Sequence, residues 1–479
     1  MAATTHPALE GAHLTETVII GAGIVGLSTA LRLAEQGRPV IVLEGLRVGR
    51  QVSGRSSAKI TTQHRLIYRH LLASVGVEGA AAYAEANILG AGQIRRWIAN
   101  HGISCDLQEK PAYTYTCERV RLPDLEAEMI AANSLGLHAE IVEQLPLPFD
   151  TVAALRFPDQ AQFNPVHYLD GLARAFVDLG GKIFEQSRVL SVDDGHRWRV
   201  ATSAGSIEAE NVVVATNMTI KSPVGMANRT QPRSHAVMAF RFDNPSLVDG
   251  MFIAADDPVR SFRTGRDGSG SVLLALGPHF DTGHENDVAA RFAELERWVR
   301  AHFPVGDSLW YWCNEDYDTA DCIPLVGEPD PVKAPGFYIA TGFNAWGITN
   351  GTAAGLLISD GIAGRVNPWR ELYDPSRSLP DDFHRNGDTA STVSGVSDIP
   401  KGGGGIVTRG KEKFAVRHLE DGTLQALSAQ CTHKGCTVSW NNVEQTWDCP
   451  CHGSIFAADG SVIHGPARQP LKKAPEFPR

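Results

Sequence analysis

Apolar positions fall into two textures along this chain, and each predicts a different kind of element. Near the start, Thr17-Val18-Ile19-Ile20 is a short apolar run, followed by a glycine-rich turn, a helical run from Leu27 to Gln36 and a second apolar run from Pro39 to Leu43. Short runs bounded by turn residues predict strands, so this opening reads strand, helix, strand. Val212-Val213-Val214 and Phe337-Tyr338-Ile339-Ala340-Thr341 predict further strands, and Gly347-Ile348-Thr349-Asn350-Gly351-Thr352 opens a helix. Past residue 400 the texture changes. Gly405 to Thr408, Lys413 to Arg417 and Leu424 to Leu427 mix polar and apolar residues, which predicts short antiparallel strands. Between the two textures, Arg365 to Pro400 is rich in Pro, Asp, Ser and Gly and lacks periodicity over most of its length, so it reads as a linker.

The turn in the opening unit is Gly21-Ala22-Gly23-Ile24-Val25-Gly26. In a strand–turn–helix of this kind Gly21 makes the turn, Gly23 lets a pyrophosphate approach the backbone and Gly26 lets helix pack on strand. The phosphates sit at the helix N-terminus. Glu44 ends the second strand at the position where a carboxylate accepts hydrogen bonds from a ribose. This predicts a dinucleotide and is silent on whether it is FAD or NAD.

Near the C-terminus stand Cys431-Thr432-His433-Lys434-Gly435-Cys436 and Cys449-Pro450-Cys451-His452-Gly453-Ser454. Two C-x-H and C-x-x-H boxes divide two thiolates and two imidazoles between two irons, the ligand set of a Rieske 2Fe-2S cluster. Tetrahedral zinc is the alternative use of Cys and His pairs, but the extra Cys in each box exceeds a four-ligand count.

The segment from about Gly395 to Lys473 resembles the Rieske domain of the cytochrome bc complexes. That resemblance makes Cys431, His433, Cys449 and His452 the iron ligands and pairs Cys436 with Cys451 in a disulfide. It also gives the Ser454 hydroxyl a cluster sulfide to donate to, and Gly465-Pro466-Ala467 the role of a covering loop. Phe456 stands where high-potential members place a second hydroxyl, on Tyr. Since donors to the sulfurs stabilise the reduced cluster, the expected potential lies below theirs. His464, beside the covering loop, is expected to face solvent.

Thr15 to Arg370 resembles the D-amino-acid oxidase-like flavoproteins, which selects FAD. The resemblance rests on Val52-Ser53-Gly54-Arg55-Ser56-Ser57-Ala58-Lys59-Ile60 as a second flavin-contact loop. It rests also on Ser187-Arg188-Val189, on the strand leading to Ala215-Thr216, and on Gly342 followed by the helix opened at Gly347. It implies cofactor contacts at Gly54, Arg55, Ser56, Ser57, Ala58 and Lys59, at Val189, Ala215 and Thr216, and at Gly342, Asn344, Trp346, Gly347, Ile348 and Thr349. These join Gly21, Gly23, Ile24, Val25, Gly26 and Glu44. Lys59, His64 and Arg263 are the candidate catalytic or substrate-binding residues, Arg263 as a carboxylate clamp.

The fold expected is therefore an α/β FAD/NAD(P)-binding domain (Rossmann-type, DAO-like) with an interleaved α+β substrate lobe, plus a C-terminal all-β Rieske domain. The oxidoreductase domain spans 15–370, with FAD-binding segments at about 15–89, 160–220 and 321–370 and the substrate lobe at about 90–159 and 221–320. A linker follows at 371–394 and the Rieske domain at 395–479. A net charge of −10 argues against a nucleic-acid surface. No stretch reaches the roughly 18 apolar residues of a membrane span, and a cytoplasmic location is expected. Cys105, Cys117, Cys313 and Cys322 read as plain buried thiols.

Flavin takes two electrons together and a 2Fe-2S cluster takes one. The pairing implies hydride transfer from a small amine or amino acid to FAD, then single electrons through the cluster to an external acceptor, a protein or a quinone. An electron-transfer adaptor between a reductase and an oxygenase, and a flavin oxidase with a structural or redox-sensing cluster, are the alternatives.

Overall fold

The computed structural model describes residues 5–221, 228–285, 287–380, 390–474 and 477. The middle of the expected linker, 381–389, lies outside these, as do four residues at the far end of the expected Rieske segment and a stretch of the expected substrate lobe, 222–227.

The opening run of apolar residues becomes the parallel centre of an eight-stranded sheet. Gly11–Ile20 lies between Val40–Leu43 and Gly205–Val214, and Phe337–Thr341 pairs on the far side of Gly205–Val214. All four residues of Val40–Leu43 and all five of Phe337–Thr341 are buried, as expected where helices cover both faces of a parallel sheet. The helices Ile24–Ala34, Pro165–Asp178 and Thr349–Ile362 pack together, with Gly355 set against Ser28 and Thr29. A long helix, Ile67–Asn100, breaks its φ/ψ at Gly76 and packs on Thr349–Ile362. The sequence gives no hint of a helix of that length.

A second eight-stranded sheet runs Ser308–Asp318, Gln231–Arg241, Gly270–Asp281, Ser261–Asp267, Met251–Ala254, Ala112–Thr116, Ala153–Phe157, Glu140–Val142. Its aromatic core, Phe240, Phe252, Phe262 and Phe303, is covered by the helix Val288–His302. Its strands come from two separated stretches of chain, so the two lobes interleave.

The C-terminal part holds two four-stranded sheets. One is built from Thr392–Val393, Gly404–Arg409, Glu412–His418 and Leu424–Ser428, the other from Ser439–Asn441, Thr446–Asp448, Ile455–Ala457 and Val462–His464. Trp447 and Phe456 fill the core between them.

The first part of the expected linker is anchored rather than free. Arg370–Tyr373 is a helical turn with Tyr373 buried, and Arg377 grips Asp321 through two hydrogen bonds of 2.9 and 3.0 Å. A cation and an anion taken together out of water hold this segment on the flavin lobe, which the polar composition of the stretch conceals. Of the four scattered thiols, Cys105 and Cys313 are buried, whereas Cys322 is half-buried and Cys117 exposed.

Candidate flavin and iron-sulfur sites

The glycine turn opens onto a cleft with about 870 Å³ of empty space, lined by Gly21, Gly23, Glu44, Ser53, Arg188, Val189, Ala215 and Thr216 among others. A Cβ on Gly23 would meet nothing nearer than the Ser53 hydroxyl at 3.0 Å, so its bare face is turned to the cleft, with room for a diphosphate against the backbone. Gly26 works differently: a Cβ there would run into the Gly21 carbonyl, which fixes the packing of helix on strand and places Gly26 outside the cleft lining. Glu44 is held by the backbone N–H groups of Ala22 (2.9 Å) and Leu46 (2.8 Å), one to each carboxylate oxygen, and burial pushes its pKa up. The Ser53 hydroxyl caps the turn by accepting from the Ile24 N–H at 3.0 Å. Sequence reading passed over Ser53, although it sits inside the quoted loop.

A second cleft continues from the first, lined by Ile24, Val25, Ser53, Ser56, Asp316, Gly347 and Ile348. The helix Thr349–Ile362 points its N-terminus here, after a turn in which Gly342, Asn344 and Ala345 all have positive φ. Asn344 is spent on that turn: its side chain accepts from the Thr319 N–H and donates to the Gly342 carbonyl. Neither Asn344 nor Gly342 lines a cleft. Asp316 accepts from the Ala345 N–H and is pushed up to about 7 by burial. It is the carboxyl that sequence reading missed, since a lone Asp within a strand carries no local mark.

Beyond this lies a small cavity lined by Ser56, Ser57, Lys59, His64, Trp346 and Thr349, with the backbone of the same turn. Lys59 donates to the Phe252 carbonyl and the Ser261 hydroxyl. Burial and the nearby Arg263 lower it to about 7. His64 stacks on Trp346 at 4.6 Å. Its Nε2 faces the Thr61 carbonyl, which only accepts, so Nε2 carries the hydrogen and Nδ1 accepts from the Tyr83 hydroxyl. Burial lowers His64 to about 3, so the ring is neutral.

Arg263 and Arg55 are placed elsewhere than expected. Arg263 gives its donors to the carbonyls of Ser57, Phe163 and Thr264 and lines none of these cavities, which leaves no fork for a carboxylate. Arg55 turns away from the cleft, toward the Cys313 carbonyl (3.1 Å) and the Glu444 carboxylate (3.0 Å). Gly54 and Ala58 also stay out of the cleft linings and shape the loop.

In the C-terminal part, Cys431 and Cys449 are buried and hydrogen-bond each other, and that shared bond lowers the Cys431 thiol and raises the Cys449 thiol. The rings of His433 and His452 meet edge to face at 4.7 Å. The Cys436–Cys451 disulfide ties the two loops. Ser454, fully buried, bonds Cys431 and accepts from the Ala467 N–H at 3.0 Å, which locks the covering loop over the site. Among the described residues, no three or more His, Cys, Asp or Glu side chains converge as a single-metal site. A two-iron cluster asks only for pairs, two donors per iron, and the thiol pair and imidazole pair fit that demand.

The two sites share a wall. Along Ser308–Asp318 side chains alternate between faces. Asn314 and Asp316 line the second cleft, while Cys313 accepts a hydrogen bond from Asn441 at its sulfur and donates its N–H to Glu444. Tyr317, buried, donates its hydroxyl to the His452 carbonyl at 3.1 Å. Gly453, at φ +68°, makes room for that contact: a Cβ there would collide with the Tyr317 hydroxyl. His464 contradicts its expected exposure. It is buried, lies parallel to Tyr317 at 6.3 Å and lines the first cleft, because the flavin lobe covers the face it presents.

A dinucleotide cleft in a Rossmann-type sheet, joined to paired thiols and imidazoles under a disulfide, defines an oxidoreductase that carries a flavin and an iron-sulfur cluster. The chain belongs to the FAD dependent oxidoreductase (DAO) family, matched over residues 16–361, and residues 390–475 match the Rieske [2Fe-2S] domain. FAD and a 2Fe-2S cluster are its cofactors. It is similar to the putative Rieske 2Fe-2S iron-sulfur protein YhfW of Bacillus subtilis, 30% identical over 98% of this chain and 94% of that one. It is also similar to the cytochrome b6-f complex iron-sulfur subunit 2 of Trichormus variabilis, 56% identical over 11% of this chain and 31% of that one. Among solved structures, glycine oxidase from Geobacillus kaustophilus shares the fold at a TM-score of 0.65 and 18% identity, covering 77% of this chain and all of that one. Among the described residues, no helix is long and apolar enough to cross a membrane.

Proposed function

We propose that this protein oxidises a small amine or amino acid at FAD and sends the electrons singly through its own cluster to an external acceptor, a protein or a quinone. Bound FAD supplies a two-electron acceptor and the bound cluster a one-electron acceptor. The substrate would give up a hydride from carbon and a proton from nitrogen, leaving an imine that water hydrolyses.

What carries the reading is the shared wall: Asp316 lines the second cleft, and the next residue, Tyr317, holds the carbonyl of the ligand residue His452. An oxidase with an idle cluster has no use for that proximity. The substrate class finds support in the small cavity, where Lys59 is the one lysine or arginine of the lining. Burial lowers it to about 7, and a substrate carboxylate beside it would favour its ammonium form; Trp346 offers an apolar face in the same lining. Glycine oxidase and L-proline dehydrogenase, whose solved structures share the fold, carry amino-acid donors in their names. The exit is supported by exposure: His452 is buried toward the flavin lobe, whereas His433 is half-buried beside the exposed Lys434 and Gly435.

The test is anaerobic mixing of purified protein with a panel of amines and amino acids, following flavin absorbance together with the Rieske electron-paramagnetic-resonance signal. One donor should bleach the flavin, and the cluster signal should then rise. Flavin bleaching with a silent cluster would overturn the relay in favour of an oxidase. No bleaching by any donor, with reduction by a reductase instead, would overturn it in favour of an adaptor.

A further inference from the structure

The first cleft is lined from both sides. Against Gly21, Glu44, Arg188 and Val189 of the flavin lobe stand Ile463, His464, Gly465, Ala467 and Arg468 of the Rieske region. The hairpin end and covering loop are fastened there by two hydrogen bonds, one donated from each side of the interface, and one contact. Arg188 donates to the Ile463 carbonyl at 3.1 Å, and Arg468 donates to the Leu190 carbonyl at 2.9 Å. Gly465 sits so near Ile220 that a Cβ would lie 3.3 Å from its side chain.

At the centre of this contact His464 is 7% exposed, and its Nε2, buried, has no hydrogen-bond partner within the protein. A buried polar atom without a partner costs about 1–3 kcal/mol and calls for an explanation, and at the edge of a cofactor cleft a ligand atom supplies one. The surroundings say which part of FAD is at hand. His464 lines the cleft of the glycine turn and Glu44, where the diphosphate and adenosine ribose belong, and is absent from the lining of the second cleft at the helix Thr349–Ile362.

We propose that the Rieske domain completes the FAD site, with His464 Nε2 hydrogen-bonded to an oxygen of the ribose–diphosphate portion of the cofactor. The covering loop and the strand end before it then serve two cofactors at once. The Ala467 N–H holds Ser454 beside the cluster, and the His464 side chain at the end of Val462–His464 holds the dinucleotide. FAD binding and docking of the Rieske domain stabilise each other, because each supplies part of the other's contact surface.

Two near-isosteric variants of the full-length protein test this. In His464→Leu the volume is kept and the bond lost, and the FAD dissociation constant, read from recovery of flavin fluorescence on release, should rise about tenfold or more. In His464→Gln an amide can still reach the oxygen, and affinity should stay within about threefold of the parent. Cluster content, read from its visible and paramagnetic spectra, should match the parent in both. Equal FAD affinity for the Leu variant and the parent, with the cluster intact, would overturn the proposal. In case the Leu variant does not fold, hydrogen–deuterium exchange on the unaltered protein, stripped of FAD and reloaded, gives a second reading. Amides of the segment 462–468 should exchange more slowly when FAD is bound, and unchanged exchange there would overturn the proposal equally.

Discussion

Replacing Tyr317 by Phe removes one hydroxyl and nothing else, so it isolates the contact between the flavin lobe and the cluster loop. The ring is 1% exposed and its hydroxyl donates to the His452 carbonyl at 3.1 Å. A buried neutral hydrogen bond contributes about 0.5–1.5 kcal/mol net. A donor to a backbone carbonyl of a ligand loop favours the more negative, reduced cluster. If most of the bond's strength discriminates between the oxidised and reduced forms, its loss lowers the one-electron potential by about 20–60 mV, since tenfold in equilibrium is about 59 mV for one electron. The assay is a redox titration of the full-length protein followed by the paramagnetic signal of the reduced cluster. FAD content should equal that of the parent, because Tyr317 lines neither dinucleotide cleft. A midpoint unchanged within about 10 mV, against the span worked above, or one that rises, would refute the reasoning: the hydroxyl would then hold the domains together without being felt by the cluster.

Three further outcomes are expected. Gly23→Val should fill the space left for the diphosphate and yield protein with a full cluster signal and little FAD, checked by extracting and quantifying flavin. Arg377→Ala should leave Asp321 buried without its cation and cost about 3–5 kcal/mol, read as a lower denaturant midpoint for the flavin lobe. Asp316 has its carboxyl raised by burial from 3.8 to about 7, so the native state holds a proton that the unfolded chain releases earlier. The parent therefore loses stability as pH rises through that window. Asp316→Asn does not titrate, and its denaturant midpoint in FAD-free protein should gain on the parent's between pH 4 and pH 8; a constant difference across that range would count against the buried acid.

The parts of the fold that the sequence announces are those whose chemistry is local. A glycine turn between two apolar runs needs only neighbours in sequence to place a helix N-terminus against a cleft, and Glu44 follows at the end of the next strand for the same reason. The two Cys/His boxes are equally local. What stayed hidden depends on partners far along the chain. Arg55 stands in the flavin-contact loop and yet bonds Glu444, 389 residues away. Arg263 looked like a clamp because nothing near it in sequence shows that Ser57 and Phe163 claim its donors. His464, a polar residue beside a Gly-Pro loop, has every local reason to face water, and is buried only because another lobe lies over it. Asp316 has no sequence signal at all, since its meaning comes from the alternation of a strand whose other face belongs to a different domain.

That alternation explains why a flavin lobe and a Rieske domain gain from being one chain. Electron transfer weakens steeply with distance, and two domains joined only by a linker would meet at varying separations. Here the strand Ser308–Asp318 belongs to the flavin lobe's second sheet, and its odd-numbered side chains Cys313 and Tyr317 bond the Rieske domain while Asn314 and Asp316 line the second cleft. Between the second cleft and the His452 loop, this one backbone is the partition. The Arg55–Glu444 pair and the Cys313 N–H, which also goes to Glu444 at 2.7 Å, clamp the same strand from the Rieske side. The buried His452 loop is thereby fixed on the flavin lobe, and the half-exposed His433 is left on the outer edge. On the proposed relay, a cluster held in this orientation would receive electrons on one imidazole and present the other to a partner without having to swing between them.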